Sequence, residues 1–121
     1  YLERGDMYVL KTPLGMALCV VTDEGDGVLE LKNIAVAPDC QRRGYGKQLI
    51  EFAFSYYGDC ERMLVGTGDV PSSLGFYHSC GFTESHRVKN FFTDHYDHPM
   101  FEDGKQLVDM VYLKREWPGG V

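Results

Sequence analysis

No stretch of this 121-residue chain holds the roughly 18 to 20 consecutive apolar residues that a membrane-spanning helix needs. A signal-like apolar core is missing too, because the opening YLERGDMYVLK carries charges where one would lie. There is no internal repeat, low-complexity tract or linker. With 44% hydrophobic and 13% aromatic residues, one domain over residues 1–121 with a real core is expected. The four cysteines, Cys19, Cys40, Cys60 and Cys80, form no CxxC pair. That excludes a zinc-type spacing and the dense disulfide framework of a small secreted domain, and leaves reduced thiols in a cytoplasmic protein as the plain expectation. Positive charge is scarce, 12 basic against 18 acidic residues, for a net charge of −6. A field of that sign repels nucleic acid and anionic membrane and favours a cationic small substrate. It also serves simply to keep a protein in solution.

What is present reads as alternating strands and helices. MYVLK (Met7 to Lys11) and MALCVV (Met16 to Val21) are strand-like, joined by TPLG with Pro13 at the second turn position. DEGDG supplies the glycines of a hairpin into a long third strand, Val28 to Val36. That strand alternates at first and then turns nearly all apolar, which predicts an end buried on both faces. Leu49, Ile50, Ala53, Phe54 and Tyr57 recur at helical spacing, predicting a helix from about Gly44 to Tyr57 ended by Gly58 and Asp59. MLVGT (Met63 to Thr67) is a short buried strand. A helix from near Ser72 stops at Gly81, and Phe82 to Val88 forms a strand. NFFTDHYDHPMFEDGKQ reads as a long connection, Leu107 to Glu116 as the closing strand, and WPGGV as a tail. The fold class is therefore α/β (α+β), a mixed sheet with helices packed on it.

The segment QRRGYG, at the handover from the third strand to the first helix, carries chemistry. A helix N-terminus offers unpaired amides and partial positive charge. Gly44 and Gly46 have no side chain to hold a ligand off the backbone, and Arg42, Arg43 and Lys47 make the spot locally positive. The amides from about Arg43 to Lys47 can wrap one phosphate or two linked ones. The spacing is neither GxxxxGK[ST] nor GxGxxG with an acid about twenty residues on, so a P-loop and a dinucleotide site are both set aside.

LKNIAVAPDCQRRGYGKQLIEFA resembles the acetyl-CoA-binding segment of the GCN5-related N-acetyltransferase (GNAT) family. Its Q/R-x-x-G-x-G/A hallmark is matched by Gln41, Arg42, Arg43, Gly44, Tyr45 and Gly46. Downstream, GFYHSCGF is similar to the family's A-x-x-F-Y-x-x-x-G-F segment, whose tyrosine is Tyr77. The resemblance runs from Met7 to Leu113. It implies the GNAT acyl-CoA N-acyltransferase fold and transfer of acetyl from acetyl-CoA, as co-substrate and without metal, to a primary amine of a small molecule or peptide. A catalytically silent acyl-CoA-binding or interaction domain is the alternative. Family members begin with one more strand and a helix pair. These have no counterpart before Met7, so Tyr1 is expected to be internal to a longer protein, or the N-terminal substrate-side wall is missing. The family's asparagine after the fourth strand is replaced by Asp69, Val70 and Pro71, which puts one cofactor contact in doubt.

By that resemblance, the pantetheine arm lies along Ile34, Ala35 and Val36, between this strand and MLVGT, and the pyrophosphate lies on Arg42 to Lys47. An alkyl amine with a pKa near 10.4 costs about 4.6 kcal/mol to neutralise at pH 7, so a base is wanted, and the departing thiolate wants a proton donor. Tyr77 is the donor candidate; packing on a helix face is its plainer reading. Glu30, four residues before Ile34, is the base candidate, or else a solvent-facing strand residue beside Lys32. In FFTDHYDHP, His-x-x-His lacks the framework of a metal site. His95 and Tyr96, among aromatics and acids, suit a cationic amine. A subgroup of bacterial GNAT proteins carries a similar FF-x-x-HY-x-x-P-x-x-E-x-G segment, fitted by Phe91, Phe92, His95, Tyr96, Pro99, Glu102 and Gly104. It implies a bacterial origin. Exposed Phe91, Phe92, Tyr96 and Met100 would alternatively mark a homodimer interface.

Overall fold

The computed structural model describes residues 5–58 and 60–116; Tyr1, the helix-ending role of Asp59 and the tail from Trp117 lie outside the described residues. No described helix is long and apolar enough to cross a membrane. The described backbone groups into two compact units, 5–58 and 60–63 with Glu116, and 64–115.

In the first unit, β1 (Gly5–Thr12), β2 (Gly15–Gly25) and β3 (Val28–Val36) form an antiparallel meander in that order. Pro13 and Leu14 make the first turn, where the Thr12 hydroxyl accepts from Leu14 N–H at 3.2 Å and donates to Gly15 O at 3.1 Å. Asp26 and Gly27 make the second with φ of 56° and 79°, the left-handed pair that suits a two-residue hairpin. Helix α1 (Tyr45–Tyr56) buries Leu49, Ile50, Ala53 and Phe54, as their spacing predicts. Its outer edge packs on β1, where the Tyr8 ring lies 5.2 Å from Phe52 and 5.5 Å from Tyr56. The Tyr57 hydroxyl donates to Asp6 at 2.5 Å and accepts from Tyr8 at 2.7 Å, tying strand and helix end together.

One expectation for β3 fails. Val21 pairs with Leu31 but Val20 with Asn33, so a bulge inserts one extra residue at Lys32. Lys32 and Asn33 are both exposed, and beyond them Ile34 and Val36 are half-buried while Ala35 is exposed. The apolar end of β3 is not core: the bulge turns the strand so that Ala35, opposite Leu18, leaves the face it shares uncovered.

In the second unit the strand order is β4 (Arg62–Gly68), then β8 (Met110–Glu116), then β5 (Thr83–Val88), with β5 and β8 antiparallel. Helix α2 (Pro71–Ser79) starts with proline at its first turn, where the missing N–H costs nothing. It ends in a Schellman cap. Gly81 has φ of 92°, its N–H bonds to His78 O at 3.0 Å, and Phe82 N–H bonds to Tyr77 O at 3.0 Å. Phe82, fully buried, sets its ring against Tyr77 at 5.7 Å.

The long connection is a second correction. It folds into a five-residue helix α3 (Phe91–His95) and a hairpin, β6 (Met100–Glu102) and β7 (Lys105–Leu107). Asp103 and Gly104 turn that hairpin with φ of 52° and 77°. Leu107 thus belongs to β7, not the closing strand. Phe91, Phe92 and Met100 are half-buried rather than exposed, leaving Tyr96 and Phe101 outside.

Phe54 is 1% exposed whereas Phe52, two residues away, is 42% exposed. Phe54→Ala should cost about 3 to 5 kcal/mol by urea unfolding, and Phe52→Ala about 1 kcal/mol. Equal losses would mean that α1 does not pack on the face assigned to it.

Candidate functional site

The junction from β3 to α1 is fixed from three sides within the first unit. Ala37 N–H bonds to Met16 O at 2.9 Å, and the Gln41 amide donates to Val36 O at 3.2 Å. Gly15 lets a 3-10 turn (Pro38–Cys40) approach: a Cβ there would stand 3.2 Å from both the Ala37 Cβ and the Cys40 sulfur. Arg42 and Gly44 then take positive φ, 63° and 82°, reversing the chain into α1. Gly44 is the helix N-cap and offers no side-chain cap. The first helical bond is Gln48 N–H to Gly44 O at 3.0 Å. Among the described residues, the amides of Arg42 to Lys47 therefore have no hydrogen-bond acceptor, as the start of an uncapped helix requires. Arg42, Arg43 and Lys47 are exposed, no acid sits in the helix's first turn, and the Arg43 side chain is steadied by Asp39 O at 3.3 Å. Tyr45 is half-buried and Gly46 buried. Nothing lies within 4 Å of a Cβ placed on Gly44, so the outer side of the loop is open. All the residues from Gln41 to Lys47 are brought together here, directly after Ile34, Ala35 and Val36.

Glu30 lies on the same unit, on β3 before the bulge, half-buried and ion-paired with Lys32 at 3.0 Å. The pair occupies one carboxylate oxygen, an arrangement closer to the plain strand reading than to a base waiting for a proton.

Tyr77 lies in the second unit. It is 8% exposed, and its phenol is pushed up to about 12, by burial first and then by Cys80 and Glu102 nearby. His95 stacks on Phe91 at 4.4 Å and its Nδ1 lies 2.8 Å from Phe91 O, which requires the proton on Nδ1 and leaves Nε2 as acceptor. Tyr96 is half stacked on Phe92, with 6.0 Å between rings. Among the described residues no three His, Cys, Asp or Glu groups converge as a metal would need.

The sequence did not reveal the ionic clip at the end of β4. Arg87 pairs with Asp69 at 2.9 Å, Glu84 at 3.5 Å and Asp109 at 3.7 Å, and holds the Asp69 carboxyl below the usual carboxylate range. Asp69, the first of the three residues Asp69, Val70 and Pro71 after β4, is thus committed to Arg87. Asp109 in turn accepts from Asn90 N–H at 3.0 Å just before α3. Nor did it reveal that two serines of α2 hold the hairpin, Ser72 bonding Asp103 and Ser73 donating to Glu102 at 2.6 Å. Ser-Ser at a helix start was the available signal, but it names no partner across thirty residues.

Because the folded phenol of Tyr77 titrates near 12 and an unfolded one near 10, its contribution to stability is complete below pH 10 and is lost as pH rises to 12. Over that window the wild type should lose stability more steeply than Tyr77→Phe in urea titrations. Parallel curves would show that the phenol ionises freely in the folded chain.

A family model for the acetyltransferase (GNAT) domain matches residues 3–84. The uncharacterized N-acetyltransferase YvbK of Bacillus subtilis is 35% identical over 117 residues, covering 93% of this chain and 76% of its own length. A Bacillus subtilis acetyltransferase solved in complex with CoA superposes with a TM-score of 0.87 at 33% identity, over 97% of this chain and 80% of that one. A GNAT family acetyltransferase of Elizabethkingia anophelis, solved with acetyl-CoA bound, gives 0.86 at 31% identity, over 97% and 79%. The fold is accordingly the expected mixed α/β fold with a mixed sheet. Orphan amides at an uncapped helix start, the Q-R-R-G-Y-G run that makes them and these likenesses agree, and the chain belongs to the GNAT acetyltransferase family.

Proposed function

We propose that this chain transfers the acetyl group of acetyl-CoA to a primary amine of a small molecule or peptide. The observation that carries the reading is the run of six backbone amides, Arg42 to Lys47, without acceptors among the described residues and flanked by three exposed cations. The residues fit a pyrophosphate: the loop is open outside Gly44, and each bond from an amide to a charged oxygen is worth about 1.5 to 3 kcal/mol. Ile34, Ala35 and Val36, apolar yet not buried, suit the pantetheine arm. Related acetyltransferases solved with CoA or acetyl-CoA support the same ligand. Bacterial relatives support a bacterial origin, and the cytoplasmic, homodimeric reading goes with it.

Acetyl-CoA supplies the activated carbonyl and a thiolate leaving group. Tyr77 remains protonated at any physiological pH, so it is a standing hydrogen-bond donor. With a phenol near 12 against a thiol near 8.5, giving the proton up outright is uphill by about 4.8 kcal/mol. Tyr77 therefore steadies developing negative charge by its O–H rather than by full transfer. Glu30, ion-paired with Lys32, is the candidate base for the amine's proton, and His95 and Tyr96 are the candidate acceptor contacts.

Calorimetric titration of acetyl-CoA tests the cradle. Micromolar binding is expected, weakened at least about 100-fold in Gly44→Asp, which puts a carboxylate beside the orphan amides at a left-handed position that aspartate tolerates. Binding of equal strength in that variant would remove the phosphate assignment. Tyr77→Phe should keep acetyl-CoA affinity and lose about 100-fold in kcat. Unchanged turnover would reduce Tyr77 to packing.

A further inference from the structure

We propose that Glu102 binds the ammonium group of the acceptor, an inference that rests on the acetyl-transfer reading and names the residue that selects a cationic amine.

Glu102 ends β6 and is half-buried. Its cross-strand partner around the Asp103–Gly104 turn is Lys105, directly opposite and on the same face. In such a hairpin these two would pair. They do not: the Lys105 ammonium donates instead to the backbone carbonyl of Asp69 at 2.6 Å. The half-buried carboxylates elsewhere in this unit, Asp69 and Asp109, both meet Arg87, while Asp94 and Asp103 are exposed. Glu30 has Lys32, Glu116 has Arg62, Asp97 has His98, and Asp69, Glu84 and Asp109 share Arg87. Glu102 forms no ion pair among the described residues and is met only by a neutral hydroxyl, Ser73, at 2.6 Å on Oε2. Its other oxygen, Oε1, faces the end of β4, where a Cβ on Gly68 would stand 3.6 Å away. A half-buried carboxylate without a counter-charge is costly, and an arriving cation recovers that cost.

Its place in the unit suits the reaction. Ser73 and Tyr77 are one helical turn apart on α2, on one face, so the serine that holds Glu102 puts it on the Tyr77 side of the helix. The charge is felt there, since Glu102 is among the groups that raise the Tyr77 phenol. The groups facing it are Tyr77 and Ser73 from α2, Asp103 and Lys105 from its own hairpin, and the Gly68 backbone of β4, none of which supplies a free cation.

The test is steady-state acetyl transfer by the whole chain to 1-aminobutane, 1,4-diaminobutane and an unblocked tripeptide, for wild type, Glu102→Gln and Glu102→Asp. Glutamine keeps the Ser73 bond and removes only the charge. The acceptor KM should rise at least ten-fold in Glu102→Gln and recover in part in Glu102→Asp, with acetyl-CoA affinity unchanged within two-fold. An acceptor KM within two-fold of wild type, while wild type turns over, overturns the assignment and leaves the acetyl-transfer reading standing. A parallel loss of urea midpoint and acetyl-CoA affinity in Glu102→Gln overturns it as well, making the residue a structural anchor of the hairpin. If wild type binds acetyl-CoA but acetylates none of the three amines, both readings fall.

Discussion

An α-helix cannot satisfy its own first amides, and this chain declines to satisfy them for it. At the start of α1 the N-cap is glycine, the first turn carries no acid, and the first internal bond appears only at Gln48. Each orphan N–H exposed to water is tolerable, but six in succession concentrate the same sign of partial charge on one short reversing loop. Holding such a loop in place needs a rigid mount. The mount is the hairpin behind it: Met16 O receives Ala37 N–H, Val36 O receives the Gln41 side chain, and the bare Cα of Gly15 admits Cys40 to the core. Side chains at any of these points would move the loop without touching a single amide that matters.

The same economy explains β3. A regular strand from Val28 to Val36 would put Ile34 and Val36 on the face opposite Leu29 and Leu31, and the bulge at Lys32 changes that parity. Leu29 and Leu31 remain in the core, and Ile34 and Val36 return to their side two residues later, half-buried. Ala35, small and apolar, is left on the other face. An apolar strand end that is not core is costly unless something covers it, and in the proposed reading the pantetheine arm is what covers it.

Much of this was legible beforehand, unevenly. The bounds of β3, the face of α1 and the stop at Gly81 follow from local rules: a hairpin glycine, helical spacing, a left-handed cap. The F-Y-x-x-x-G-F pattern also has a local cause, since Gly81 makes the Schellman turn that brings Phe82 back onto Tyr77. The bulge was not legible, because Leu31-Lys32-Asn33-Ile34 reads equally well with or without it. The hairpin at Asp103–Gly104 carried a standard turn signal. Its strands, though, are three residues each, too short for alternation to register, and the aromatic stretch before them reads as loop. The Arg87 pairs with Asp69 and Asp109 and the two serine–carboxylate bonds join residues 18 to 31 apart in sequence, and no local rule reaches that far.

Net charge turns out to be a poor guide to the individual sites. A chain at −6 should repel a polyanion such as CoA, but charges beyond about 8 to 10 Å are largely screened at physiological salt. In the proposed cradle the phosphates would meet Arg42, Arg43, Lys47 and a set of amides, with the Asp39 backbone carbonyl accepting from the Arg43 side chain. The second unit follows the opposite local rule. Three of its acids, Asp69, Glu84 and Asp109, share Arg87, so part of the negative charge there is spoken for before any substrate arrives. What sets Glu102 apart is that it is half-buried without an ion pair among the described residues, because Lys105 is turned to the Asp69 carbonyl, while Asp94 and Asp103 are exposed. On the proposed reading, selection of an amine depends less on the acidity of the protein than on which half-buried carboxylate the fold leaves without an ion pair.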